Sequence, residues 1–309
     1  AEGVTRYGAD AVRAGVLSRC RGAQDFRLDA VPFRRQQAIA ETLEALARFR
    51  RLRGPGLPDG LEHWALAEAM ELRMPVAQAL TQYRFADAVR ALDGYATRVL
   101  ATVVEVRRRQ AEAENGGCPG ASAALMAEVA ALFEPVMPGA AGRLAAGAAR
   151  VPAIVPDSSH ARAAGCLVEV LADLRRLRGA VGLNAHAPVR LTPAAGTPDP
   201  RPSERWALHV TGLRLELGPP TGGAFAWLVP GHDCAALHLP TAYAGRAREE
   251  ARRRLRVESR SRRLLAARLR QAGAGPLEVR TALEARMAAI EGRISALRRN
   301  LDACGRAVG

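Results

Sequence analysis

Residues 281–303 read TALEARMAAIEGRISALRRNLDA, and their large apolar side chains fall at Leu283, Met287, Ile290, Ile294, Leu297 and Leu301. The intervals are 4, 3, 4, 3 and 4 residues, a heptad seam that holds one helix face against a partner helix. Upstream, Leu255, Leu265 and Leu269 mark a second helix, and residues 271–276 (QAGAGP) supply the turn between the two. The last quarter of the chain therefore reads as an antiparallel helical hairpin, a short coiled coil.

The charge on this hairpin is lopsided. From Arg246 to Gly309 there are 17 arginines against 7 acidic residues, a net of +10 out of +14 for all 309 residues. A solvated neutral face would interleave Glu and Arg, whereas an excess gathered on one extended element is the footprint of a polyanion, most often nucleic acid. The chain has no lysine, so each of these cations is a guanidinium, which holds phosphate bidentately and stacks on bases. Arg252, Arg253, Arg254, Arg256, Arg260, Arg262 and Arg263 form a dense run on the first helix, and Arg268 and Arg270 carry it toward the turn. Arg107, Arg108 and Arg109 close an earlier helix, where they either join in holding phosphate or offset the helix dipole. Contacts of this kind position RNA without reading its sequence.

The rest of the chain is organised around amphipathic helices at 4–19, 33–53, 61–72, 75–113 and 121–133. The break at 54–58 (GPGLP) and the first-turn position of Pro75 set two of the boundaries. In the longest helix the expected buried stripe is Leu80, Phe85, Val89, Leu92, Val99 and Val103. A further helix at 165–179 precedes short alternating runs at 189–192, 207–210, 213–217, 225–229 and 235–239, which read as strands. The expected fold is mainly α, in three domains: a helical bundle at 1–145, a small α+β connecting domain at 146–245, and the basic coiled-coil hairpin at 246–309.

Five scattered cysteines without a C-x-x-C pair argue against a disulfide framework. No apolar run is long enough to span a membrane. The group His232, Asp233, Cys234 and His238 matches no structural zinc spacing, and no metal or other cofactor is expected. Neither a phosphate-cradling glycine motif nor a nucleophile–base arrangement is present, so the chain is expected not to be an enzyme. Trp64, Trp206 and Trp227 are expected in the core rather than on a base-stacking surface.

Residues 7–13 (YGADAVR), 83–92 (YRFADAVRAL) and 132–138 (LFEPVMP) stand in an order that resembles the C-terminal part of class I aminoacyl-tRNA synthetases. Tyr7-Gly8-Ala9-Asp10-Ala11-Val12-Arg13 is similar to the segment that follows their signature lysine loop. Residues 83–92 (YRFADAVRAL) resemble their long anticodon-domain helix, and residues 132–138 (LFEPVMP) their L-x-x-P-x-[ML]-P turn. Residues 174–179 (LRRLRG) with Val189-Arg190-Leu191, and the turn near Gly275-Pro276-Leu277, look most like the valyl branch. The resemblance implies an anticodon-binding helical bundle joined to a coiled-coil arm that contacts RNA, with the catalytic half absent. The segment after Met137-Pro138 and the second helix depart from the family pattern, which loosens the link to tRNA in particular. The expected function is a non-catalytic RNA-binding protein of synthetase-like ancestry, a structural subunit of a large RNA assembly such as a mitochondrial ribosome. The expected partners are rRNA or tRNA and neighbouring proteins of a ribonucleoprotein, with no membrane and with a mitochondrial location (cytoplasmic as the alternative). The other reading is a tRNA-binding portion of an active valyl enzyme, or a free tRNA-binding accessory factor.

Overall fold

A computed structural model describes residues 2–20, 29–49, 59–113, 122–146, 155–184, 187–193, 215–218, 222–230, 235–272 and 276–308. The chain is mainly α with one small sheet, and it divides into two compact units, Ala1–Gly165 and Cys166–Gly309.

The first unit contains α1 (Glu2–Tyr7), α2 (Ala9–Leu17), α3 (Ala30–Phe49), α4 (Gly60–Thr81), α5 (Phe85–Tyr95), α6 (Ala101–Ala113), α7 (Ala123–Phe133) and α8 (Pro138–Ala145). A π-helical turn at Ala96–Leu100 joins α5 to α6. Apolar side chains at helical spacing make the core: Ile39, Leu43 and Leu46 from α3, Leu61, Ala65 and Ala69 from α4, and Leu125, Val129 and Phe133 from α7 are all buried. Helix starts are fixed by side-chain acceptors. Asp59 accepts the Glu62 amide at 3.0 Å and Ser122 the Leu125 amide at 3.3 Å. Asp10 caps α8 from a distance, accepting the Gly139 and Ala140 amides at 3.2 and 2.6 Å. A Cβ on Gly139 would lie 2.9 Å from the Asp10 carboxylate, so glycine makes room for that cap.

Several boundaries differ from the sequence reading: the helix expected at 4–19 is two helices parted at Gly8, whose φ is 86°, and the helix expected at 165–179 starts at Ser158. The helix expected to stop at Leu72 runs on through Pro75 to Thr81, with Pro75 exposed inside it. The break comes instead at residues 82–84, and α5 starts at Phe85. Val89, Leu92, Val99 and Val103 are buried as expected, while Leu80 and Phe85, beside that break, are half-buried. Helix α8 was not read from the sequence; it is only eight residues long and opens at Pro138, in a segment that reads as a turn.

α9 (Ser158–Val181) carries the division between the units, with its residues from Cys166 onward in the second. Asp157 starts this helix, accepting the Ser159 and His160 amides at 2.8 and 3.2 Å. The second unit continues with β1 (Val189–Pro193), β2 (Leu215–Leu217), β3 (Ala224–Leu228), β4 (Ala235–Pro240), α10 (Ala244–Gln271) and α11 (Leu277–Val308). The sheet order is β2-β1-β4-β3, with β1 and β2 parallel and the other neighbours antiparallel. The expected strand at 207–210 lies outside the described residues. Period-two burial puts Phe225 and Trp227 of β3, and Ala235, Leu237 and Leu239 of β4, on the inner face.

The sheet and the hairpin, expected as separate domains meeting at 245/246, share one unit. Asn300 of α11 shows why. Its Oδ1 accepts the Leu228 amide at 2.7 Å and its Nδ2 donates to the Leu228 carbonyl at 2.8 Å. A side-chain amide thus supplies to the edge strand β3 the pair of bonds a neighbouring strand would give. In the hairpin itself, Leu265, Ile290 and Ile294 are buried, with Leu255, Leu283 and Met287 packed against them. Glu258 pairs with Arg293 at 3.0 Å and Arg262 with Glu291 at 3.6 Å, the crossed order of two antiparallel helices.

Cys166 is disulfide-bonded, against the expectation drawn from the scattered cysteines. Cys20 and Cys304 are free thiols, and burial pushes the Cys304 thiol up to about 11.

Candidate nucleic-acid interface

The arginines singled out from the sequence fall into two groups once their partners are known. Arg107 belongs to the interior and is not a surface cation. It is 1% exposed, and it donates to Asp59 at 2.7 Å, to Glu62 at 3.0 Å and to Gln110 at 3.0 Å. Glu62 is equally buried and accepts the Ser122 amide at 3.1 Å through the same oxygen. Burial raises the Glu62 carboxyl above the ordinary carboxylate range, with Arg107 pulling the other way. Burial works against the Arg107 charge too, but Asp59 and Glu62 outweigh it and raise its pKa. The arrangement therefore ties α4, α6 and the cap of α7 together rather than facing a ligand. Arg108 is exposed but held between Glu105 and Glu112, and Arg109 pairs with Glu105.

Arg254 is also committed internally. It pairs with Asp173 and, at 2.7 Å, with Glu250, and its guanidinium lies 5.7 Å from the centre of the Trp227 ring. Asp173 in turn accepts the Trp227 indole N–H at 3.1 Å. This buried network fixes α10 against α9 and β3 within the second unit. Arg253 sits on the same Glu250 at 2.6 Å, and Arg262 on Glu291. Those three leave the list of available cations, or enter it only in competition with a carboxylate.

What remains on α10 is Arg252, Arg256, Arg260, Arg263, Arg268 and Arg270. All six are exposed, and none makes an ion pair among the described residues. At 3.6 residues per turn, Arg252, Arg256, Arg260, Arg263 and Arg270 lie within about 80° of one another around the helix. That wedge is opposite Ala247, Ala251 and Leu265, which are buried. Arg268 points elsewhere, about 160° round from Arg252. The five form one solvent-facing row roughly 27 Å long, with steps of about 6 Å between residues four apart. A row of unneutralised guanidiniums on one continuous helix suits a linear polyanion.

Other expected features resolve as follows. Trp64 and Trp227 are buried, as the core reading had it, and Trp206 lies outside the described residues. His232 to Cys234 also lie outside them, and His238 sits on β4. Among the described residues no group of three or more His, Cys, Asp or Glu side chains is placed to hold a metal ion, and no helix is long and apolar enough to cross a membrane. Sequence reading missed Tyr83, which is three-quarters exposed and carries a positive φ. No residue-type signal marks it, because the position is defined by backbone conformation.

No family model matches the chain, and a search of curated proteins finds no match.

Proposed function

We propose that this chain is a non-catalytic RNA-binding protein of valyl-synthetase-like ancestry, and that the row on α10 holds successive phosphates of an RNA strand. The observation that carries the reading is the pairing pattern. Within one helix, Arg253, Arg254 and Arg262 are neutralised by Glu250, Asp173 and Glu291, while five arginines on the outer face have no acidic partner among the described residues. A helix that used arginine only for solubility and folding would satisfy the outer row with i,i+4 glutamates, as α6 does with Glu105 and Glu112. The resemblance of residues 7–13, 83–92 and 132–138 to the synthetase anticodon bundle supports RNA over other polyanions.

The host that best suits this reading is a large RNA assembly, a mitochondrial ribosome being the natural case, in which the protein is a structural subunit. Gradient sedimentation of native lysate, followed by crosslinking and sequencing of attached RNA, tests it. Co-migration with ribosomal particles and crosslinks to one rRNA locus from α10 are expected. Migration near free protein with tRNA crosslinks would replace the structural role with a tRNA-binding one. Absence of any RNA crosslink would overturn the reading.

A further inference from the structure

Tyr83 occupies a position that folding alone does not explain. α4 ends at Thr81, and the chain reaches α5 through Gln82, Tyr83 and Arg84. The Arg84 amide donates to the Ala79 carbonyl at 2.7 Å and the Tyr83 amide to that of Leu80 at 3.1 Å, the Schellman pairing that closes a helix end. This closure puts the residue after the cap in the left-handed region, where glycine is the usual occupant because a Cβ is disfavoured there. Here the occupant is Tyr83, with φ 58°, and it is the sole non-glycine residue of positive φ among the described residues. Its ring does not offset the strain by packing. The residue is 76% exposed and meets the Phe85 ring edge-on, with centroids 6.0 Å apart. Backbone strain and exposed apolar surface both work against stability, so neither accounts for an aromatic side chain at this point.

The surroundings are basic. Arg84 is the next residue, and it shares the Asp87 carboxylate with Arg90 of α5. Two guanidiniums thus face one carboxylate just after Tyr83. One positive charge is left over beside a raised aromatic ring. That combination, an exposed π-face with guanidiniums nearby, is how proteins hold an unpaired base while its phosphates stay on the cationic surface.

We propose that Tyr83 is a stacking platform for an unpaired base of single-stranded RNA, a contact that is separate from the phosphate-holding row on α10. The inference rests on the RNA-binding reading above. The strained backbone supplies an unusual control, since Tyr83→Gly removes the ring and relieves the left-handed strain together. The variant should melt no lower than the parent, so a binding defect cannot be ascribed to misfolding.

The test measures the affinity of the full chain for two probes of equal length, a 12-nucleotide oligoadenylate and its abasic ribose-phosphate counterpart. The parent should prefer the oligoadenylate by about tenfold, within the range one stacked base contributes. Tyr83→Gly should erase that preference and leave abasic binding unchanged. Arg252→Ala/Arg256→Ala/Arg260→Ala/Arg263→Ala should weaken both probes and keep their ratio. A preference that survives Tyr83→Gly, or a parent with no preference, overturns the stacking role while the phosphate reading stands; in the second case Tyr83 is left to a protein partner. A parent that binds neither probe overturns both.

Discussion

Replacing Arg107 with methionine separates an interior arginine from a phosphate-binding one. The side chain bonds Asp59, Glu62 and Gln110 at 2.7, 3.0 and 3.0 Å, and both Arg107 and Glu62 are 1% exposed. Asp59 is 40% exposed and can turn to water, whereas Glu62 cannot. The variant therefore strands one buried carboxylate, which costs about 3–5 kcal/mol. In a unit of 165 residues, at roughly 2–4 °C per kcal/mol, the melting temperature should fall by roughly 6–20 °C. The loss should depend on pH in a definite sense. Burial already raises the Glu62 pKa, and removing Arg107 removes an influence that lowers it. The folded variant thus binds a proton at Glu62 more readily than the unfolded chain does. It is steadier at low pH and loses stability as pH rises through the folded-state pKa of Glu62. The deficit against the parent should be smaller at pH 5 than at pH 8. Adding Glu62→Gln keeps an acceptor for the Ser122 amide without the charge and should restore most of the loss. Thermal unfolding by circular dichroism, run beside RNA affinity, reads both quantities. An unchanged melting temperature with weakened RNA binding would refute the interior assignment.

Two further perturbations follow from the same accounting. Asn300→Ala removes both bonds to the Leu228 backbone, so the second unit should lose about 1–3 kcal/mol; faster hydrogen exchange at the Leu228 amide checks this, and unaltered exchange would show that the edge strand finds other partners. His63 accepts the Asp157 amide through Nδ1 at 3.1 Å, near the His160 ring and the Asp59 and Asp157 carboxylates, and its pKa is lowered first by burial and then by His160. The neutral ring should therefore contribute stability that is present above pH 6.5 and lost as pH falls through its folded-state pKa. An imidazole NMR titration with a midpoint at or above 6.5 would contradict that.

Periodicity carried the fold a long way. The seam from Leu283 to Leu301 needed only spacing, because the two helices of a hairpin bury one stripe each and the turn is short. Pro75 misled because proline at a first turn and proline on an exposed face of a longer helix look alike in sequence. The true break at Tyr83 has neither glycine nor proline to announce it. The site was legible as a charge and not as a surface. Counting arginines cannot separate Arg256 from Arg254, since the latter's partner Asp173 lies 81 residues away. The same holds for Arg107 and Asp59, 48 apart. Local pairs were the readable ones: Glu250 stands three residues before Arg253 and four before Arg254, and Glu105 and Glu112 flank Arg108. Cys166 teaches a similar lesson, because cysteines far apart in sequence carry no spacing signal for a disulfide.

In the proposed function the unpaired row on α10, and not the net charge, holds RNA. The direct measurement is the salt dependence of single-stranded RNA affinity for the parent and two charge-matched variants. One replaces Arg252, Arg256, Arg260 and Arg263 with alanine. The other replaces Arg73, Arg108, Arg143 and Arg280, which are exposed but paired with acidic partners. The first variant should lower the slope of log affinity against log salt by about 0.7 per lost phosphate contact, roughly 3 in all. The second should leave the slope near that of the parent. Equal losses in the two variants, or no loss in the first, would contradict it.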